Sequence, residues 1–115
     1  MDHKSKLQEY CSSLTSYHRW PTREVLVGSV AVGKKNPIRI QSMTTTDTMD
    51  TENTIKQSIR MIEAGCEIVR ITAPSIKEAE NLKFIREGIR KKGYDTPLVA
   101  DIHFTPNAAE VAARI

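Results

Sequence analysis

The chain has 115 residues, with 17 Lys and Arg against 14 Asp and Glu. This length allows one small domain and excludes a second. The charge excess lies within residues 1–35, because residues 36–115 carry eleven groups of each sign. A basic face for nucleic acid is therefore not predicted. No apolar run approaches the roughly 18 residues that would cross a membrane, and the first residues lack the apolar core of a secretory signal.

The two cysteines, Cys11 and Cys66, are too few for a disulfide framework and suit a reducing cytoplasm. Neither has another cysteine or a histidine at the spacing of a metal-binding motif. The sequence therefore predicts a cytoplasmic protein with no metal site in this chain.

The first third of the chain divides into an arm and a hairpin. Residues 1–22 have no clean period and are interpreted as an irregular N-terminal arm, followed by a barrel segment over residues 23–115. Four valines alternate with other residues around Gly28 and Gly33, which predicts a β-hairpin over residues 24–33.

Three strands, each followed by a helix, are predicted in the remainder. The strands are expected over residues 38–43, 67–72 and 98–103. The helices begin at Asp50 or Thr51, at Ser75 with Glu78 in capping-box spacing, and at Thr105 with Pro106. Glycines 65 and 93 end the first two. The apolar faces of the three helices comprise Ile55, Ile59 and Ile62; Ala79, Leu82, Ile85 and Ile89; and Ala108, Val111, Ala112 and Ile115.

The repeat length indicates the fold. Gln41, Arg70 and Asp101 occupy similar places near their strand ends, 29 and 31 residues apart. A (β/α)8 barrel has about 31 residues per unit, and its strands are parallel. Three units cannot close a barrel. We therefore predict an α/β fold that forms the N-terminal part of a TIM barrel, with three βα units after a hairpin, in a larger chain.

Strand alternation separates two faces of the predicted sheet. Charged and hydrogen-bonding residues on one face are unusual for a barrel interior, which stability alone would fill with branched aliphatic residues. Such groups must pair with each other or face a ligand, since unpaired buried charges are unfavourable. The face expected toward the helices comprises Ile38, Ile40, Val69, Ile71, Leu98, Ala100 and Ile102. The opposite face comprises Arg39, Gln41, Met43, Arg70, Thr72, Val99, Asp101 and His103.

Each candidate residue also has a structural interpretation. Arg70 and Asp101 could form an ion pair that only stabilises the sheet. His103 could be a histidine packed by Phe104, rather than an acid–base group. The Thr44–Thr48 segment is interpreted as a solvated loop, with phosphate contact by its hydroxyls as the alternative.

Three segments resemble the 4-hydroxy-3-methylbut-2-enyl diphosphate synthase family. They are Pro37-Ile-Arg-Ile-Gln-Ser-Met-Thr-Thr-Thr-Asp-Thr, Glu67-Ile-Val-Arg-Ile-Thr and Pro97-Leu-Val-Ala-Asp-Ile-His-Phe. The resemblance covers about residues 22–115. The Gln-Ser-Met-Thr-Thr-Thr-Asp-Thr loop and the Tyr10-Cys11 arm are closer to the three-domain form of the family.

The resemblance implies an oxidoreductase of isoprenoid biosynthesis whose barrel binds a cyclic diphosphate at its mouth. Arg70, Gln41 and Met43 would bind this substrate, and Asp101 and His103 would be the catalytic residues. A 4Fe-4S cluster would lie in a separate domain, supplied with electrons by ferredoxin or flavodoxin, and the complete enzyme would be a homodimer. The cluster ligands are absent from this sequence, so the chain alone is expected to be inactive.

Two other classes of function remain open at this stage. The chain could be part of another phosphate-binding or pterin-binding TIM barrel, because fold does not determine function. It could also be a truncated product without catalysis.

Overall fold

The computed structural model describes residues 13–18 and 20–115. The arm expected over residues 1–22 lies partly outside these residues, and its described part contains no helix or strand. The elements are β1 (Val25–Val27), β2 (Val30–Val32), β3 (Gln41–Met43), α1 (Thr51–Glu63), β4 (Ile68–Thr72), α2 (Ile76–Lys91), β5 (Leu98–Asp101) and α3 (Pro106–Arg114).

The hairpin predicted over residues 24–33 is confirmed. Strands β1 and β2 pair antiparallel, with Val25 opposite Val32. Gly28 lies at the turn with φ +58°, and a Cβ there would stand 3.1 Å from the Cβ of Pro97. The hairpin tip therefore packs closely against the start of β5.

The other strands form one parallel sheet in the order β3-β4-β5. Met43 pairs with Arg70, and Thr72 pairs with Asp101. Each strand is followed by a helix, as the repeat predicts. The α/β class is thereby confirmed, and the alternation matches the βα units of the predicted barrel.

The strands are shorter than predicted for reasons visible in the backbone. The N–H of Ala73 donates to the carbonyl of Asp101 at 2.8 Å. Pro74, the next residue, has no N–H to continue the ladder. Strand β5 therefore ends at Asp101, and His103 lies in the loop beyond it.

Strand β3 begins only at Gln41, because Ile40 is the first residue whose carbonyl accepts hydrogen bonds from the start of β4. Ile38 and Ile40 are 80% and 57% exposed, so their expected burial against the helices is wrong. They precede the paired part of the strand, and no described helix covers them.

The core lies between the sheet and the helices. Its fully buried side chains come mainly from β4 and α2, in agreement with the predicted faces. Helix α1 differs, since Thr54 and Ser58 are fully buried whereas Ile55, Ile59 and Ile62 are only half buried. The Ser58 hydroxyl donates to the Thr54 carbonyl at 2.7 Å, which satisfies its polar group. The core cluster comprises Cys66, Val69, Ile71, Ala73, Ala79, Leu82, Ile85, Ile89 and Ala108.

The helices begin and end where the sequence predicts, but of the three predicted N-terminal caps only Asp50 bonds to the helix backbone through its side chain, and Thr105 does not. Asp50 caps α1 by accepting from the N–H of Asn53, and residues 65 and 93 are left-handed glycines after α1 and α2. Ser75 precedes α2 but makes no side-chain bond to its backbone. Its hydroxyl donates instead to the Glu78 carboxylate, so Ser75 does not make its bond of the predicted capping box.

Candidate functional site

Three of the predicted site residues meet at the carboxyl edge of the sheet. Arg70 Nη2 lies 3.0 Å from Asp101 Oδ1, and His103 Nε2 lies 3.3 Å from Asp101 Oδ2. The two oxygens of one carboxylate therefore hold a guanidinium on one side and an imidazole on the other. We call these three residues the rim cluster.

The rim cluster combines a shielded anion with two accessible nitrogen groups. The Asp101 side chain is 10% exposed, against 41% for Arg70 and 49% for His103. The hydrogen bond and charge of Arg70, with a smaller contribution from His103, hold the pKa of Asp101 below its usual range. Asp101 is therefore a carboxylate at neutral pH, and its partners face solvent.

Arg70 retains hydrogen-bonding capacity. Its Nε is buried and has no hydrogen-bond partner, although Nη2 contacts Asp101. A buried donor without a partner is unfavourable and requires an explanation. The guanidinium has five N–H donors in a planar fork that fits carboxylate and phosphate oxygens. The ion-pair interpretation is thus confirmed as geometry, but it leaves the Nε donor unexplained.

His103 is not packed by its aromatic neighbour. The ring centroids of His103 and Phe104 lie 6.3 Å apart and tilted, and Phe104 is fully exposed. The interpretation of His103 as a packed structural histidine is therefore wrong. Its polar contact is the carboxylate of Asp101.

Met43 and Gln41 occupy different places along β3. Met43 pairs with Arg70 and is 40% exposed, so it borders the rim cluster. Gln41 pairs with Ile68, nearer the amino end, and lines a concavity of about 510 Å³ with Arg39 and other residues. The structure therefore places Met43 beside Arg70 but separates Gln41 from the cluster.

Arg39 lies at the opposite end of the sheet from the rim cluster. Its Nε donates to the Ala31 carbonyl at 2.7 Å, and its Nη1 lies 3.0 Å from Glu67 Oε2. This arginine joins the hairpin to the start of β4.

The Thr44–Thr48 segment is only partly solvated, which corrects the prediction, since Thr45 and Asp47 are exposed but both ends are buried. Thr44 and Thr48 are only 5% and 2% exposed. Gln57 Oε1 accepts from the N–H groups of Thr45 and Thr46 at 2.8 and 3.2 Å. Those two N–H groups are thereby occupied. The alternative, phosphate contact by the threonine hydroxyls, stays a prediction, and the Thr44 hydroxyl is buried without a hydrogen-bond partner.

The side chains that hold this segment are not predicted by the sequence pattern. Besides Gln57, Asn81 on α2 donates to the Thr48 carbonyl at 2.7 Å and to Thr51 Oγ1 at 2.9 Å. Thr54 Oγ1 lies 2.7 Å from Thr46 Oγ1. Asn81 itself could have indicated such a contact, because it is a polar residue next to Leu82, which belongs to the apolar face of α2.

The described residues do not fit an iron–sulfur cluster. Clusters are held mainly by cysteine thiolates, and Cys66, the only cysteine in the described part of the chain, is buried, with Sγ 2.9 Å from the Ile68 carbonyl oxygen. No group of three His, Cys, Asp or Glu there could hold a metal ion. Cys11 lies outside the described residues. Among the helices described, none has the length and apolar character needed to traverse a bilayer.

The GcpE TIM-barrel domain family matches residues 22–115. A protein from Phocaeicola vulgatus, named 4-hydroxy-3-methylbut-2-en-1-yl diphosphate synthase (flavodoxin), is 55% identical over 101 residues, which is 88% of this chain and 16% of the relative. A protein of the same name from Protochlamydia amoebophila is 54% identical over 89% of this chain and 16% of the relative. Another comes from Chlorobaculum tepidum, with 54% identity over 92% of this chain and 14% of the relative.

The chain thus spans about a sixth of the length of these relatives. Its match to the family extends over both the hairpin and the three βα units. The strand–helix alternation and the family match agree, and the chain belongs to the GcpE TIM-barrel domain family.

Proposed function

We propose that this chain provides part of the substrate site of a 4-hydroxy-3-methylbut-2-enyl diphosphate synthase, with the rim cluster at the barrel mouth. The observation that carries the proposal is the unpartnered Nε of Arg70 beside the carboxylate of Asp101. An anion at this edge would accept from that donor and from the exposed part of the guanidinium. Sites in TIM barrels lie at the carboxyl ends of the strands, which is where this cluster stands.

Each residue has a role in this proposal. Arg70 grips diphosphate oxygens through its planar fork. Asp101 orients Arg70 and, with His103, acts on the reacting part of the substrate. The His103 imidazole, held beside Asp101, is placed to transfer a proton to a leaving hydroxyl. Met43 borders the diphosphate, and Gln41 lines the barrel interior below it, on the amino side of the rim cluster.

The substrate in this proposal is 2-C-methyl-D-erythritol 2,4-cyclodiphosphate, whose ring is opened reductively with loss of water. The reaction consumes two electrons, and the described residues contain no group that carries them. We propose flavodoxin as the donor, because the relatives carry that word in their names. The same proposal includes ferredoxin as an alternative donor and a 4Fe-4S cluster bound by residues outside those described. It also includes a homodimer and a cytoplasmic location.

Among the other classes of function, a pterin-binding barrel is less favoured. The named relatives are diphosphate synthases, and the free arginine donor fits a phosphate oxygen better than a neutral heterocycle. A purely structural Arg70–Asp101 pair remains the alternative that the experiment must separate.

A chimaera tests the proposal. Residues 22–115 of this chain would replace the aligned segment of the Phocaeicola vulgatus synthase, and the chimaera is expected to retain synthase activity. In it, Arg70→Lys should lower kcat/KM by about ten- to a hundredfold, since lysine loses charge-assisted hydrogen bonds of the planar fork. The melting temperature should stay unchanged.

Arg39→Lys in the same chimaera is the matched control, because Arg39 contacts only protein groups. It should leave kcat/KM unchanged. Unchanged kinetics together with a lowered melting temperature for Arg70→Lys would assign Arg70 a structural role and refute the proposal.

A further inference from the structure

The segment Thr44–Thr48, which we call the threonine strap, supports the carboxyl end of β4 at two points. The N–H of Thr44 donates to the Arg70 carbonyl at 3.0 Å. The hydroxyl of Thr48 donates to the Thr72 carbonyl at 2.7 Å. The strap therefore holds the backbone of Arg70 and of the next residue on the same face of β4.

The second of these contacts is made by a side chain. Strand β3 ends at Met43, so no strand on that side remains to pair with Thr72. The Thr48 side chain, 2% exposed, takes the place of the missing ladder bond. On its other side Thr72 pairs with Asp101, whose carbonyl accepts from Ala73 N–H. One hydroxyl thus fixes the end of β4 at Thr72, the residue that pairs with Asp101.

Thr48 is itself fixed from behind by α2. Asn81 Nδ2 donates to the Thr48 carbonyl and to Thr51 Oγ1, at 2.7 and 2.9 Å. Because Asn81 belongs to a helix packed on the sheet, the strap cannot move without breaking these bonds. A chain of side-chain hydrogen bonds therefore runs from the core helix to the end of β4.

We propose that Thr48 is a positioning residue for the anion site at Arg70, and that Asn81 supports it. By holding the Thr72 carbonyl, the Thr48 hydroxyl sets the register of the β4 end against β5 and so the meeting of Arg70 with Asp101. Neither Thr48 nor Asn81 contacts the rim cluster directly. The part that concerns anion binding rests on the proposed function.

Three variants of the 115-residue chain test this inference. Thr48→Val keeps the shape of the side chain and removes the hydroxyl, Thr48→Ser keeps the hydroxyl, and Thr45→Val is the matched control. The Thr45 hydroxyl contacts only Gln57 and does not reach β4. Two quantities are measured in each: the affinity for inorganic pyrophosphate by calorimetry, and the pKa of Asp101 by carboxyl NMR. Circular dichroism confirms that each variant is folded.

Thr48→Val should weaken pyrophosphate binding about three- to tenfold, the range of one net hydrogen bond. It should also raise the pKa of Asp101 toward its ordinary value. Thr48→Ser and Thr45→Val should match the wild-type chain in both measurements. A merely structural Thr48 would lower the melting temperature and change neither affinity nor pKa, and that result would overturn the proposal.

Asn81→Asp supplies a second test if Thr48→Val fails to fold. It keeps the side-chain shape and removes the donor to the Thr48 carbonyl, so a smaller change in the same direction is expected. If the wild-type chain binds no pyrophosphate, the proposed function fails. The pKa of Asp101 still decides the role of Thr48, because that measurement needs no ligand.

Discussion

Two arginine–carboxylate pairs stand at opposite ends of the same sheet and are used differently. Arg39 lies 3.0 Å from Glu67 at the amino end, and Arg70 lies 3.0 Å from Asp101 at the carboxyl end. Arg39 Nε donates to the Ala31 carbonyl, whereas Arg70 Nε is buried without a partner. The contact distance is the same, but only Arg39 has its Nε donor bonded to another protein group.

The difference indicates that the Arg39–Glu67 pair connects parts of the fold, whereas Arg70 of the Arg70–Asp101 pair is suited to bind a ligand. At the amino end the side chains are 23% and 32% exposed and link three backbone segments. At the carboxyl end Asp101 is more shielded and Arg70 more open, at 10% and 41%. The shielded Asp101 carboxylate therefore orients the Arg70 guanidinium, which stays exposed and can contact a bound anion. Residue type and pair distance alone do not distinguish these cases, but the remaining donors do.

The largest expected effect is a loss of anion affinity on substitution of Arg70, at the carboxyl end of the sheet. Arg70→Ala should weaken pyrophosphate binding about a hundredfold, because two charge-assisted hydrogen bonds contribute about 1.5–3 kcal/mol each and compete with solvent. Arg39→Ala should leave the affinity unchanged. Isothermal titration of both variants checks this, and equal losses would show that the two arginines do not differ in function.

At the amino end of the sheet, the largest loss of stability is expected where an added side chain has no space. Gly33 has φ +87°, and a Cβ there would stand 2.4 Å from the Arg23 carbonyl oxygen and 2.6 Å from Thr22 Oγ1. Gly33→Ala should therefore destabilise the chain by about 2 kcal/mol or more, the sum of left-handed strain and overlap.

Gly65 is the matched control for this substitution. It also has a positive φ, +108°, but a Cβ there would meet nothing within 4 Å. Gly65→Ala should cost only the backbone strain, about 1 kcal/mol. Urea denaturation measures both, and an equal cost at the two sites would contradict the close packing at Gly33.

Arg39→Ala should lower stability more than Arg70→Ala does. The substitution leaves the Ala31 carbonyl and the Glu67 carboxylate without their partner, at a cost of about 1–2 kcal/mol. Arg70→Ala removes one ion-pair contact, and the Asp101 carboxylate keeps its contact with His103, so its cost should be smaller. Denaturation of the two variants under one set of conditions compares them, and a reversed order would make Arg70 the structural residue.

The smallest effect concerns pH. The pKa of Asp101 is lower in the folded chain than its ordinary value, mainly because of Arg70. Its contribution to stability is therefore complete above about pH 4 and is lost as the pH falls through the folded value. Arg70→Ala should flatten this part of the stability profile, as urea midpoints between about pH 5 and pH 2.5 would measure. An unchanged profile would mean that Arg70 does not set the ionisation of Asp101.

Much of the fold was predictable because it depends on local and periodic signals. The valines around Gly28 predicted the hairpin, and the spacing of Gln41, Arg70 and Asp101 predicted parallel strands that the structure confirms. Alternation also placed Arg70 and Asp101 on one face, close enough for the contact observed.

The failures arose where a residue's environment comes from distant parts of the chain. Ile38 and Ile40 read as buried because they are apolar, but the ladder begins after them. The strap read as solvated because threonines are polar. Its partners, Gln57 and Asn81, lie 9 or more residues beyond Thr48 along the chain, and no local pattern connects them to it. Polar pairing across elements is the part that periodicity does not reveal.

The turn after His103 is formed by an unusual residue. Phe104 has φ +56° and a ring that is fully in water. A left-handed backbone costs a residue other than glycine about 1–2 kcal/mol, and a solvated ring returns no packing energy to offset it. Glycine would take the same turn without strain, so Phe104→Gly should leave the fold intact or make it more stable. The identity of residue 104 is therefore not set by the stability of this fold, unlike that of glycines 28 and 33.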